Sequence, residues 1–461
     1  MRKDRIMARR VTAQEQVVPS GRACRVFLLV VIAGLVAAGC AGVRQPAVLV
    51  IESVREGAVV ELRPEAGLDS VLAFLPDGRH LVCRTTGLTV CVLDAVTGRR
   101  VFAAGGAASL AAGDKLLDYA PIPEGLHEIS VFDLSGEPAS AGATPIFRWR
   151  GKALVQSVAL SEDGLFLAAG SDNSICVWDL KARRQIRVLP DLKEGAQCVA
   201  FSPNGLVLAS VGSDKTVSLW DLAAAERLKT VRVGEGELSF DCFSADGRSV
   251  VLRERRMVAR PAGYRGLPRL ALRTVVVEVS SGQVLLDIPD YAWVSGDRKT
   301  LVRRDDEGSV CVHGLSSGRQ LGRIAAVGPL ALSQGAGLMA VCTGVSEGRR
   351  VFEVWNLAAM TKLASCWVPE DSWYCRVLSP DGGTLVLKRG CGLRLAVVDV
   401  RRNAKLVELA SAVQGAPSDL GERVAFSPDG GKMATACGGS LLTVDVGALE
   451  AALDAEPASP G

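Results

Sequence analysis

The chain has 461 residues, of which 48% are hydrophobic and 22% charged, a balance that excludes an intrinsically disordered protein and provides for a large core. Its formal charge of +3 is concentrated at one end: residues 1–39 carry 7 Lys/Arg and 2 Asp/Glu, so the remainder holds 46 bases (53 less 7) against 48 acids (50 less 2). No global basic excess is left to argue for nucleic acid. Forty-nine glycines and only 4 tyrosines suit many short strands joined by tight turns.

Residues 1–25 are polar and basic, and 26–39 read VFLLVVIAGLVAAG. That order of basic, apolar and small residues is the order of an export signal, and the apolar core is short for a membrane span. The run ends in Ala37-Ala38-Gly39-Cys40, which resembles the lipobox of bacterial lipoproteins, although leucine is commoner in the place of Ala37. The resemblance implies a signal peptide over 1–39 and acylation of Cys40, followed by a linker, 40–46. An ordinary cleaved signal and an uncleaved single-pass anchor are the alternatives. By the same resemblance the protein sits in the bacterial cell envelope, held by lipid to a membrane surface that faces the periplasm or exterior.

From residue 47 to 453 one plan recurs, and residues 454–461 read as a disordered polar tail. Strand-like runs at 47–51 and 58–62 precede the first full unit. Turns then recur as Leu75-Pro76-Asp77-Gly78, Ser161-Glu162-Asp163-Gly164, Ser202-Pro203-Asn204-Gly205, Ser244-Ala245-Asp246-Gly247, Ser379-Pro380-Asp381-Gly382 and Ser427-Pro428-Asp429-Gly430. Proline presets one dihedral, while Asp, Asn and Gly tolerate the positive φ of a tight hairpin. Weaker equivalents lie at Gly113-Asp114, Gly296-Asp297 and Gln334-Gly335, making about nine units. Each unit also has a period-two strand ending near Asp, such as VCVLD (90–94), ICVWD (175–179), VSLWD (217–221) and LLTVD (441–445). The best preserved pair, 158–180 and 199–222, is nearly one sentence written twice. One unit cannot bury its own apolar faces, so the units must pack in series.

The Ser-Pro-Asp-Gly turns and the pairs Trp178-Asp179 and Trp220-Asp221 resemble the WD-repeat family of β-propellers, with Asp172 and Asp214 at matching places. The implied fold is all-β, a single ring of four-stranded blades numbering seven to nine. The family's buried network needs a histidine that this chain lacks, since His80, His127 and His313 all fall elsewhere. The resemblance also implies ring closure, with strand 58–62 completing the last unit, 423–446.

The sharpest local departure is a segment between the second and third strands of the fifth unit, 253–273, which is expected to be a projecting loop. It holds Arg253, Arg255, Arg256, Arg260, Arg265, Arg269 and Arg273 with Tyr264 against a single Glu254. Guanidinium forks suit carboxylates and phosphates, so the loop is a candidate partner-binding site for an acidic protein, a lipid headgroup or an anionic polymer; a solvated insertion is the bland alternative. Enlarged connections at 119–128 and 343–350 would share its face. Cys83 with Cys91 and Cys366 with Cys375 are disulfide candidates in an oxidising compartment, whereas Cys176, Cys198, Cys311 and Cys342 fit as small buried hydrophobes. His127-Glu128 and the run Asp305-Asp306-Glu307 read as solvated turns before they read as acid–base or cation sites. No nucleophile elbow, zinc motif, phosphate loop or EF-hand occurs, so no cofactor and no metal are expected. The expectation is a monomeric, membrane-tethered scaffold for an unidentified protein partner. A propeller enzyme of lactonase, hydrolase or quinoprotein type is the rival, and a signal-anchored part of a signalling assembly is another.

Overall fold

A repeated turn organises six of the blades among the described residues. Ser161 donates its hydroxyl to Asp163 at 2.5 Å, Asp163 accepts the Leu165 amide at 3.0 Å, and the Ser161 oxygen accepts the Phe166 amide at 2.9 Å. The same contact joins Ser244 to Asp246, Ser295 to Asp297, Ser379 to Asp381 and Ser427 to Asp429, and Ser202 to the side-chain oxygen of Asn204, at 2.5–2.7 Å. The buried serine and the acid thus each satisfy one backbone amide, and the acid also takes the serine proton, at the point where the first strand turns into the second. In the sixth blade the left-handed position usually taken by glycine is held by Arg298 at φ 54°. In the first blade Leu75 replaces the serine, and buried His80 substitutes for it with Nδ1 at 2.5 Å from Asp77.

A computed structural model describes residues 49–454 except 53–58, 63–67, 86–88, 104–107, 113–114, 123–125, 135–143, 172–173, 191–194, 259–268, 370–372, 390–393, 412–423 and 438–439. The signal segment, the linker, Cys40, the turn at Gly113-Asp114 and residues 455–461 lie outside the described residues. Nine antiparallel sheets follow in sequence, eight of them built on a four-stranded meander and the last on a three-stranded one completed by an early strand, so the ring is a nine-bladed propeller. Seven third-to-fourth strand pairs carry a register shift just before the strand ends, as between Val177 and Trp178 or Leu219 and Trp220. Such a bulge adds local twist, which a radial blade needs.

The core is divided among the junctions between blades. Ala209, Val217 and Leu219 of blade four meet Val250, Leu252 and Val275 of blade five, and each of the other junctions has its own apolar cluster. The closing junction packs Leu81 and Leu93 of blade one against Ala434 and Leu441 of blade nine. A fully buried leucine contributes roughly 1.5–3 kcal/mol, so each junction is separately cohesive. Closure follows the sequence expectation: Val59–Leu62 is the outer strand of blade nine, with Leu62 opposite Leu441. The earlier strand, Leu49–Glu52, adds a fifth strand outside blade eight, pairing Leu49 with Ser411. A helix, Val446–Asp454, follows the last strand; Asp445 accepts the Ala448 amide at 2.8 Å as its cap, and Val446 and Leu449 pack into the junction of blades eight and nine.

The three enlarged connections are not loops over their described lengths. In blade two the second and third strands run Lys115–Ile122 and Leu126–Asp133, in blade five Ser249–Val258 and Arg269–Glu278, and in blade seven Leu338–Ser346 and Arg349–Asn356. They are long hairpins. The blade-seven hairpin turns on Glu347 and Gly348 alone, at φ 51° and 70°, the paired left-handed geometry of a type I′ turn. Because every blade is the same meander, these hairpins leave the ring on one face. Among the described residues no helix is long and apolar enough to cross a membrane.

Candidate functional site

The blade-five hairpin is the most elaborated of the three arms, and its arginines divide by strand parity. Arg253 points toward blade six. Its guanidinium donates to Asp241 at 2.7 Å, to Thr274 at 2.8 Å and to the Ala292 carbonyl, and lies 4.1 Å over the Tyr291 ring. Arg273 points toward blade four, where it donates to both Asp287 oxygens at 2.6 Å, to Glu254 at 2.8 Å and to the Val233 carbonyl at 2.9 Å. Both arginines therefore brace the base of the arm against the connections leading in and out of the blade. Arg255 pairs with Glu237 at 2.9 Å, on the exposed side. Arg256 is exposed and has no ion pair among the described residues. Arg269 is in the third strand opposite Val258; Arg260, Tyr264 and Arg265 lie outside the described residues.

Glu254 holds this base together. Its carboxylate accepts the Glu235 and Gly236 amides at 3.0 and 2.7 Å as well as Arg273. Burial pushes its pKa up, but the bonds from Arg273 and the two amides outweigh burial, and the net position is below the usual carboxylate value. Asp287 is likewise lowered, by Arg273. The acidic cluster of the arm is ionised and already matched.

Two clefts flank Arg256. One, of about 380 Å³, is lined by Lys215, Gly236, Glu237 and Arg255 among others; the second, of about 410 Å³, by Glu254, Arg256, Ala271, Leu272, Arg273 and Pro289. Met257 and Leu270, opposite each other on the arm, are 61% and 51% exposed. Blade seven adds Val345 at 50% and Trp367 at 44% exposed, with Arg349 stacked 3.8 Å over the Trp367 ring.

The other sequence candidates resolve into structure. His127 is a strand residue, not a loop residue, hydrogen-bonded to the Tyr119 hydroxyl at 2.7 Å; its neighbour Glu128 is paired with Arg148 and Arg150. Asp305 and Glu307 both bind Arg323, which lowers the Asp305 pKa. Cys83 and Cys91 are cross-strand partners, and Cys83, Cys91, Cys176, Cys198, Cys242, Cys311, Cys342, Cys366 and Cys375 are free thiols, with Cys366 raised by burial to about 12 and Cys375 well above its usual range. Among the described residues no group of three His, Cys, Asp or Glu is arranged to hold a metal.

Blades three and four carry the paired tryptophans. Trp220 is buried and donates Nε1 to Ser210 at 3.0 Å. Asp221 accepts the Ala223 and Ala224 amides, and Asp179 the Ala182 amide, each closing the turn into a fourth strand. A family model for the WD domain, G-beta repeat, matches residues 143–179 and 184–221. These segments are WD40 repeats. Each match takes in the outer strand of one blade and ends on the third strand of the next, so a WD40 repeat here straddles a blade junction.

A solved structure agrees on the fold. The chain is similar to the eukaryotic initiation factor at TM-score 0.51 and 13% identity, over 75% of this chain and 90% of that one. It is also similar to the β-propeller domain of Cps50 (Swd1) from Myceliophteria thermophila at TM-score 0.41 and 15% identity, over 64% and 98%. No curated protein matches the sequence. The WD40 network is reduced in the way the missing histidine requires. Asp214 caps its own turn by accepting both the amide and hydroxyl of Thr216, and Asp172 lies outside the described residues. In blade three Ala169 stands at the place of Ser210, and Trp178 instead packs against Phe147 and Trp149, ring centroids 6.2 and 5.8 Å away.

Proposed function

We propose that this protein is an interaction scaffold that presents hairpin arms from a rigid WD40 propeller, tethered through Cys40 at the outer surface of a bacterial membrane. The observation that carries the reading is the elongation of three second-to-third strand hairpins, in blades two, five and seven, on one face of the ring. A scaffold needs fixed positions for its contacts, and paired strands braced at their base by Arg253, Arg273 and Glu254 supply them without an ordering cost at binding. At the base of the blade-five arm Arg253, Arg273 and Glu254 are matched to partners, which leaves exposed Arg256 available for a binding contact and favours binding over catalysis. The tether rests on the resemblance of residues 26–40 to a lipoprotein signal.

The test combines both parts. Cells expressing the wild type, Cys40→Ala, or a variant with the blade-five arm cut back are labelled with a palmitate analogue, and co-purifying proteins are identified. The wild type should take label and retain partners; Cys40→Ala should lose label, and the shortened arm should keep label and lose partners. Unlabelled wild type refutes the tether, and partners unchanged by shortening each of the three arms refute the scaffold role of this face.

A further inference from the structure

We infer that the outer edge of the blade-five arm is a strand-addition site: an extended partner segment of pattern apolar–acidic–apolar pairs with Leu270–Leu272 and sets its carboxylate against Arg256. This rests on the scaffold reading and gives it a partner chemistry.

The fourth strand of blade five pairs with the third only from Thr274 to Val277, whereas the third strand continues alongside the second as far as Arg269. The Val279 amide donates to the Arg248 carbonyl. By the alternation of an antiparallel ladder, odd-numbered residues of the third strand therefore turn their backbone groups toward the second strand, and Leu270 and Leu272 turn theirs outward. Among the described residues no strand pairs with that edge. Outward amides and carbonyls on an extended strand are a template for another strand.

The side chains select which strand. On the blade-four side Ala271 stands opposite Arg256 and Arg273 opposite Glu254. Glu254 and Arg273 already bind each other, which leaves Arg256 as the unmatched cation lining the 410 Å³ cleft. An added strand lies one spacing outside the third, so its residue opposite Ala271 points to the same side as Ala271 and Arg256. About 9.5 Å, two strand spacings, separates its Cβ from that of Arg256, a span that a carboxylate side chain and an arginine bridge together over a methyl group. Its neighbours on the added strand point the other way, beside Leu270 and Leu272, and are matched by apolar side chains. A second copy of this chain is disfavoured there, because pairing the same edges would oppose arginine-rich arms.

The test uses the intact protein and a short acetylated peptide of alternating Thr and Val with one central Glu, alongside its Lys twin. With the Glu peptide, hydrogen exchange at the Leu270 and Leu272 amides should slow about tenfold or more, and with the Lys peptide it should not change. Arg256→Glu should reverse that preference. Leu272→Pro removes one outward donor without touching the pairing of the arm itself and should abolish the effect while Val275–Val277 stay protected. No slowing with the Glu peptide, equal slowing with both peptides, or slowing that survives Leu272→Pro overturns the inference. So does binding of the wild type, but not of Arg256→Glu, to phosphatidylglycerol vesicles with no peptide effect, which would assign the cation to a lipid surface. If the peptides fail while shortening the arm still removes co-purifying partners, strand addition falls and the scaffold reading stands.

Discussion

Glu254→Gln tests whether the arm is braced by charge. The Glu254 side chain is 4% exposed and serves three donors. Glutamine keeps an oxygen for the Glu235 and Gly236 amides but sets an amide N–H against the Arg273 guanidinium. The loss is one charge-assisted hydrogen bond, worth about 1.5–3 kcal/mol. Arg273 retains both contacts to Asp287, so it is not stranded, and the full 3–5 kcal/mol typical of an orphaned buried charge does not apply. We expect about 2 kcal/mol, read as roughly 30-fold faster exchange of the Glu235 and Gly236 amides. The pH dependence has a definite sign. A carboxylate whose folded pKa is lowered stabilises fully above its unfolded value, near 4.5, and that contribution disappears as pH falls through the folded value. The gap between wild type and variant should thus be constant at neutral pH and close in acid. A gap under about 0.5 kcal/mol at neutral pH, or one that persists to about pH 2, would refute charge bracing.

Trp220→Phe should cost about 1–2 kcal/mol in urea denaturation because it leaves the Ser210 hydroxyl without its donor, whereas Trp178→Phe, with no such partner at Ala169, loses packing alone and should cost less. Gly348→Ala should destabilise by about 1 kcal/mol, since φ is 70° there and open space surrounds the position, so the strain is purely backbone; thermal unfolding checks it. Replacing Val59–Leu62 by a Gly-Ser segment should lower the melting temperature and produce self-association in sedimentation, because the third strand of blade nine then presents an unpaired edge.

What could be read from the sequence was chemistry acting over a few residues. The Ser-x-Asp-Gly turns and Asp-terminated third strands announce themselves because each satisfies its own backbone. In the sequence the blade-five arm reads as a loop because Arg253, Arg255 and Arg256 interrupt the alternation of apolar residues, and a strand that stands clear of the ring keeps polar side chains on both faces. Their pairing partners, Arg269–Arg273, were in the same stretch and were the available signal. The substitution of His80 for a serine was hidden because it sits after the turn and Leu75 before it. The helix after Asp445 has a local signature, a capping acid ahead of GALEAALD, which a last unit ending at 446 leaves unassigned. The pairing of Leu49–Glu52 with Ala404–Ser411 left no local trace at all, since only the ring brings those strands together.

That closure has a consequence for timing. Leu62 pairs with Leu441, and Leu49 with Ser411, so strands made at the start of synthesis find their partners only when nearly the whole chain exists. Loop-closure entropy of this kind slows folding, and the blade that depends on it forms last. Until then blades one to eight can assemble as an open arc while blade nine waits, and nascent chains stalled before residue 440 should leave Val59–Leu62 unpaired and sensitive to protease, with the open ends of the arc prone to self-association.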